Sequence, residues 1–246
     1  MKNFWEIVNK VLKHVDIIIL VQDARFPEQT ENQELEDKAE DKPIIHVLNK
    51  SDLADKKTLE KYKHKYKNCV YLSAREHKGT SILLQKILEL SKGKNATVGV
   101  FGYPNTGKSS VINSLKGRKS APTSPRAGYT KSRQLIRITD KIFLMDTPGV
   151  LPYMENNETK LAMIGSIDLS KIKDPDLAAM SLIDLKKNSI CKYYEVKESN
   201  SENILSNIAI KYKKLIKGGK PNLNETAKML LRDWQKGKIS LNKKHL

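Results

Sequence analysis

Apolar and polar positions along the chain change period several times, and each change marks an element. Phe4, Val8, Val11 and Val15 recur at helical spacing, and residues 17–21 then form an unbroken apolar run, the pattern of a buried strand. Two further apolar runs, 43–48 and 69–72, enclose a lysine-rich helical stretch over 53–65. A helix over 82–90, a strand over 96–101 and a helix over 109–115 continue the alternation. Strands that alternate with helices predict a parallel sheet covered on both faces. The runs 134–138 and 141–145 flank Thr139 and Asp140 with no room for a helix, which predicts an antiparallel hairpin at the sheet edge.

Beyond Pro152 no strong strand pattern recurs. Segments over 160–165, 177–185, 204–216 and 225–235 read as helices, and Gly218, Gly219, Lys220 and Pro221 break the chain between the last two. With 246 residues to bury a core, the expectation is an α/β domain over 1–152 and a smaller helical domain over 153–246.

The α/β segment carries the residues that chemistry needs. Gly102, Tyr103, Pro104, Asn105, Thr106, Gly107, Lys108 and Ser109 fit the phosphate-loop pattern G-x-x-x-x-G-K-S, between a predicted strand and a predicted helix. The glycines let backbone N–H groups turn toward phosphate oxygens, and the helix N-terminus adds positive potential. Lys108 reaches the β and γ phosphates, Ser109 offers a hydroxyl to Mg²⁺, and Ser110 continues the phosphate-facing turn. Asn49, Lys50, Ser51 and Asp52 form an NKxD sequence directly after the 43–48 strand. Asp52 can accept both N1–H and the exocyclic amine of guanine, a pair that adenine does not present. Asn49 can tie the base edge to the phosphate loop, and the Lys50 stem can lie across the ring. Alone, the tetrapeptide reads equally as a helix start with Asp52 as its cap, and the phosphate loop tips the balance to guanine.

Further elements complete a nucleotide site. Asp146, Thr147, Pro148 and Gly149 follow the second hairpin strand, placing Asp146 to hold Mg²⁺ through water and the Gly149 N–H to sense the γ-phosphate. Thr130, after Gly128 and Tyr129 in the polar stretch 118–133, is the candidate second hydroxyl on Mg²⁺. Ser73 and Ala74, past the 69–72 strand, would let a backbone N–H meet guanine O6. Val150 stands where Ras-like enzymes place a water-orienting glutamine, and neither it nor Leu151 can position water, so that role stays unassigned.

In the ordinary G domain the phosphate loop precedes the guanine motif; here the order is reversed, which is a circular permutation. The arrangement resembles the circularly permuted ribosome-assembly GTPases of the YlqF/YawG type. Asp23, Ala24, Arg25, Phe26 and Pro27 after the first strand strengthen the resemblance, as do Leu230, Leu231, Arg232, Asp233 and Trp234 followed by Gly237 and Lys238. It implies a circularly permuted P-loop GTPase domain, with a mostly parallel six-stranded sheet, joined to a small C-terminal helical domain. It also implies GTP and GDP as ligands, Mg²⁺, slow intrinsic hydrolysis, and a role on rRNA in assembly of the large ribosomal subunit. A hydrophobic residue at the Val150 position is itself a feature of that family. Bacterial relatives carry a histidine in an N-terminal aromatic, proline, glycine, histidine segment, which does not follow Phe4 and Trp5 here; His14 lies too deep in the predicted helix to be equated with it. Asn105 matches the asparagine with which K⁺-dependent GTPases hold the ion; the alternative is that it only stabilises the loop.

Charge agrees with such a partner. Lys and Arg outnumber Asp and Glu by 45 to 28, a formal +17, which favours a polyanion, although solvated helix faces account for the same excess. Lys211, Lys213, Lys214, Lys217, Lys220, Lys228, Arg232, Lys236 and Lys238 mark the helical domain as the candidate RNA surface. Cys69 and Cys191 stand apart and outside any metal-spaced cluster, and no span approaches the roughly 20 apolar residues that cross a bilayer. The expectation is a soluble, cytoplasmic, monomeric protein. Rival readings are a non-catalytic RNA-binding scaffold stabilised by nucleotide, and a GTPase acting on tRNA or at an anionic membrane.

Overall fold

The computed structural model describes residues 2–116, 135–146 and 157–241. The chain divides into two compact units, Met1–Glu155 and Asn156–Leu246. The first is built on a six-stranded sheet. Its strands are β1 (Ile17–Asp23), β2 (Ile44–Asn49), β3 (Cys69–Leu72), β4 (Ala96–Phe101), β5 (Leu135–Arg137) and β6 (Ile142–Asp146), in the spatial order β3-β2-β1-β4-β6-β5. All pairings are parallel except β5 with β6, which form the expected edge hairpin.

Every residue of β1 is buried, because helices cover both faces of this central strand. Ile17, Ile19 and Val21 pack with Leu83 and Ile87 of α4 (Thr80–Leu90) and Val111, Ile112 and Leu115 of α5 (Lys108–Lys116). Ile18 and Leu20 point the other way, into a cluster with Val8, Val11 and Leu12 of α1 (Lys2–Leu12) and Leu35 of α2 (Gln33–Lys38). The strand period of two thus sends one apolar run into two separate cores. Over the outer end of the sheet, Tyr62 of α3 (Lys56–Lys65) and Tyr66 pack on Leu48 and Ala24. Five parallel strands deliver the loops at their carboxyl ends to one rim of the sheet, where open α/β folds place their ligands.

The second unit contains α6 (Glu158–Met163), α7 (Pro175–Tyr194), α8 (Ser201–Lys211) and α9 (Leu223–Gln235). Asn157, Asn200 and Asn222 cap α6, α8 and α9, each side chain accepting from the backbone N–H three residues on. Trp234 is fully buried and donates its indole N–H to the Met163 carbonyl at 3.1 Å. Leu230 and Leu231 are buried beside it in sequence, and Tyr194 donates to the Asp233 carboxylate at 3.0 Å. The C-terminal LLRDW segment is therefore a packing device.

Three elements differ from the sequence expectation. α2 carries a single buried apolar residue, Leu35, too few for a periodicity signal, and rests on the Asn32 cap instead. α7 runs nine residues past the expected end at 185, to Tyr194; a kink at Lys186 (φ −134°, ψ 30°) carries it across the polar Lys186 to Ser189 stretch, and Ile190, Cys191 and Tyr194 resume the buried face. The helix expected over 204–216 ends at Lys211, and the chain turns back on itself before Asn222. No described helix is long and apolar enough to cross a membrane.

Trp234 supplies a direct test of the helical unit. Trp234→Ala should cost about 3–5 kcal/mol of that unit's unfolding free energy, read by urea titration of helical circular dichroism, whereas exposed Lys236→Ala should leave it within about 0.5 kcal/mol.

Candidate nucleotide-binding site

The loop of residues 102–107 connects β4 to α5 at the carboxyl rim. Gly102 (φ 147°) passes so close to β1 that a Cβ there would stand 2.3 Å from the Val21 carbonyl oxygen. The loop then closes on the Tyr103 carbonyl, which accepts the Thr106 hydroxyl at 2.9 Å and the Lys108 ammonium at 3.1 Å. Lys108 is buried as the first residue of α5, while Asn105, Ser109 and Ser110 are exposed. A cation inside a glycine-flanked loop at a helix N-terminus is a receptor for phosphate oxygens.

The second half comes from β2. Asn49 ends that strand, only 2% exposed, and its side-chain amide reaches the phosphate loop: Nδ2 donates to the Thr106 carbonyl at 2.9 Å. Its Oδ1 accepts the Ala74 N–H at 3.2 Å, so one side chain bridges the phosphate loop and the loop after β3. Gly107 (φ 96°) is what lets it in, since a Cβ at 107 would lie 2.2 Å from Nδ2. Lys50 takes a left-handed conformation (φ 61°) and donates to the Asn105 carbonyl at 2.9 Å. Asp52 sits half-buried on a short turn, Ser51–Leu53. The cap of α3 is Asp55, which accepts the Thr58 N–H at 2.8 Å, so the capping reading of Asp52 falls away. Near Ala74, the Ser73 N–H donates to the Lys78 carbonyl at 3.0 Å.

Two charged residues that the sequence marked only through a family resemblance complete the rim. Asp23, the last residue of β1, has a fully buried carboxylate that accepts Arg25 Nε at 3.0 Å and a second guanidinium nitrogen at 2.8 Å. It also accepts the Lys50 ammonium at 2.8 Å. Burial by itself would raise the Asp23 pKa, but Arg25 and then Lys50 outweigh it and hold the carboxyl well below the usual carboxylate range. Its charge at the end of an apolar strand was the available signal.

Asn49, Lys50, Ala74, Asn105, Thr106 and Gly107 are thus brought into one contiguous cluster, with Lys108, Ser109 and Ser110 on the adjoining helix turn. Asp146 is described by its backbone, in register with Val100 of β4, the strand that feeds the phosphate loop. Thr130, Gly149, Val150 and Leu151 lie outside the described residues, as do Gly128, Tyr129, Thr147 and Pro148. Among the described residues no cluster of His, Cys, Asp and Glu could hold a metal by itself.

The fold and this rim define a circularly permuted P-loop GTPase domain. Residues 7–153 match the RsgA GTPase family and residues 97–215 match the 50S ribosome-binding GTPase family. The chain belongs to the YlqF/YawG-type family of circularly permuted ribosome-biogenesis GTPases. It is similar to a solved GNP-bound YlqF from T. maritima, with a TM-score of 0.69 and 26% identity over 97% of this chain and 95% of that one. It is 43% identical over 250 residues to a GTP-binding protein of Methanocaldococcus jannaschii, covering 97% of this chain and 66% of the relative. It is also 33% identical over 253 residues to the nuclear/nucleolar GTPase 2 of Oryza sativa, covering 97% and 47%. The chain therefore spans between about half and two thirds of the length of these two relatives.

The Asn49 bridge carries a testable consequence. Asn49→Ala strips the Thr106 carbonyl and Ala74 N–H of a buried partner and should destabilise the α/β unit by about 2 kcal/mol, with faster hydrogen exchange at Ala74. Unchanged exchange at Ala74 would mean that the bridge does not hold the two loops.

Proposed function

We propose that this chain binds GTP and GDP at the joined loops and hydrolyses GTP slowly, using the nucleotide state to govern binding to rRNA of the large ribosomal subunit. The observation that carries the reading is the bridge from Asn49 to Thr106, which joins the NKxD segment to the phosphate loop. In this reading Lys108 neutralises the β and γ phosphates, and the N–H groups from Asn105 to Ser110 receive their oxygens. Asp52 accepts the two guanine donors and the Lys50 stem lies across the ring. The backbone N–H groups of Ser73 and Ala74 are the two assigned to guanine O6.

Ser109 lies in the first turn of α5 and Asp146 ends β6, and a hydroxyl and a carboxyl are the oxygen donor types that Mg²⁺ takes. Ser109 and Thr130 would hold the ion directly and Asp146 through water, and the ion would supply charge neutralisation for the phosphates. Asn105 is the residue assigned to K⁺. Gly149 is the residue assigned to the γ-phosphate, and the chain continues from it into the helical unit, giving phosphate loss a covalent route to that unit. Val150 leaves the attacking water without a side-chain partner, which favours activation by the bound subunit.

The RNA assignment rests on one segment of the helical unit. All ten residues from 211 to 220 are exposed, five of them lysines. They belong to a closed turn in which the Ile216 N–H donates to Lys220 at 2.9 Å and the Asn222 N–H to Lys214 at 2.8 Å. Leu215 and Ile216 stand exposed at 44% and 51% between the lysines. Charge for phosphates with an apolar tip for unstacked bases suits structured RNA better than an anionic surface alone. Lys211, Lys228 and Lys238 are the less favoured RNA partners, since each already pairs with an acid, Glu195, Glu225 and Asp233 in turn. We propose a cytoplasmic location and a monomer away from the ribosome.

Turnover decides the enzymatic part. GTP hydrolysis should be slow for the protein alone, rise with large ribosomal subunits, run faster in K⁺ than in matched Na⁺ buffer, and fall to background in Lys108→Ala. Equal rates in the two salts remove the K⁺ assignment; background turnover with subunits despite tight GTP binding moves the reading to a nucleotide-stabilised RNA-binding scaffold. For the turn, Lys214→Gln, Lys217→Gln and Lys220→Gln together should weaken rRNA binding and lower its logarithmic salt slope by about 0.7–0.9 for each phosphate that is no longer neutralised. An unchanged slope, or preferential binding to tRNA or anionic vesicles, removes the rRNA assignment.

A further inference from the structure

We infer that Asp23 is a positioning residue for the bound nucleotide: it anchors Lys50 between the base loop and the phosphate loop and thereby sets how long the nucleotide stays bound. The inference rests on the reading of this rim as a guanine-nucleotide site. β1 contributes none of the nucleotide motifs, yet its register with β2 pairs Asp23 directly with Asn49, and the Ala24 N–H donates to the Asn49 carbonyl at 2.8 Å. Backbone pairing therefore fixes the Asp23 carboxylate beside Lys50, the residue that follows Asn49.

The geometry around Lys50 shows why an anchor is needed. Its backbone is left-handed, a conformation that a residue with a Cβ holds only when its surroundings enforce it. Its side chain is 23% exposed, so a bond to the Asn105 carbonyl alone would compete with water. The Asp23 carboxylate, 1% exposed, adds a charge-assisted bond at 2.8 Å. Asp23 is itself pinned: Arg25 grips it through two guanidinium nitrogens, and its backbone N–H donates to the Thr30 hydroxyl at 3.0 Å. The rigidity of the 23–30 segment is thus passed to one lysine ammonium, and from there to the Asn105 carbonyl of the phosphate loop. With Lys50 so held, its stem is fixed over the base position and the two loops cannot separate without breaking its bond to the Asn105 carbonyl.

Stopped-flow release of a fluorescent GDP analogue from the whole chain tests this. Asp23→Asn and Lys50→Ala should each speed release by about tenfold or more, the effect of one lost charge-assisted hydrogen bond. Asp23→Asn should add no further acceleration in the Lys50→Ala background, because its action passes through Lys50. A merely structural Asp23 would still accelerate release there. Asp23→Asn leaves the Arg25 charge buried without its main partner, so Asp23→Asn with Arg25→Met, which removes both charges, serves if the single variant fails to fold and should show the same coupling to Lys50. Release at the wild-type rate in these variants, or effects that multiply in the Lys50→Ala background, would overturn the proposal. Failure of the wild-type chain to bind the analogue at all would overturn the nucleotide reading and this inference with it.

Discussion

The site depends on one buried side-chain amide. Asn49 donates to the phosphate loop and accepts from the loop after β3, so three segments that are distant in sequence become one rim. A bond between residues 57 positions apart has a high entropic cost in an unfolded chain, and the sheet removes most of that cost by placing β2 and β4 on either side of β1. The demand is steric as well as topological. Gly107 must lack a Cβ for Asn49 to approach, and Gly102 must lack one for the loop to pass β1. The two glycines of the phosphate loop therefore serve its fit against neighbouring strands as much as its curvature.

Permutation leaves this packing unchanged. What stabilises a parallel sheet is which strands adjoin and which faces the helices cover, and neither depends on where the chain begins. β1 is central, buried on both faces, and bordered by the strand that carries the guanine motif and the strand that feeds the phosphate loop. One result of this central place is that its last residue, Asp23, joins the rim. The other result is that the chain leaving β6 leads onward to the helical unit rather than back to the sheet.

The motifs and the strands themselves were legible because each has a local signature. Apolar runs of four to seven residues mark buried strands, and the glycine and lysine spacing marks the phosphate loop wherever it occurs. The hairpin of β5 and β6 was legible from the short spacing between its runs. What the sequence did not show depends on distant partners. Asp23 and Arg25 stood only as part of a family resemblance until the register of β1 with β2 set the Asp23 carboxylate against Lys50. The C-terminal segment around Trp234 stood as part of the same resemblance, and its large side chains turn inward to pack in the helical unit. The length of α7 was hidden by its own polar stretch, since a kinked helix shifts its buried face and the periodic signal fades there.

The central claim is that Asp52 and the phosphate loop form a single guanine-nucleotide site, and base exchange tests it most directly. Xanthine carries a carbonyl where guanine carries its exocyclic amine, so an acceptor must become a donor to read it. Calorimetric titration of the wild type and of Asp52→Asn with GDP and with xanthosine diphosphate, in Mg²⁺, measures that exchange. The account predicts that the wild type prefers GDP and that Asp52→Asn reverses the preference. An Asp52→Asn variant that still prefers GDP as strongly as the wild type would contradict it, because the base would then be read by other residues.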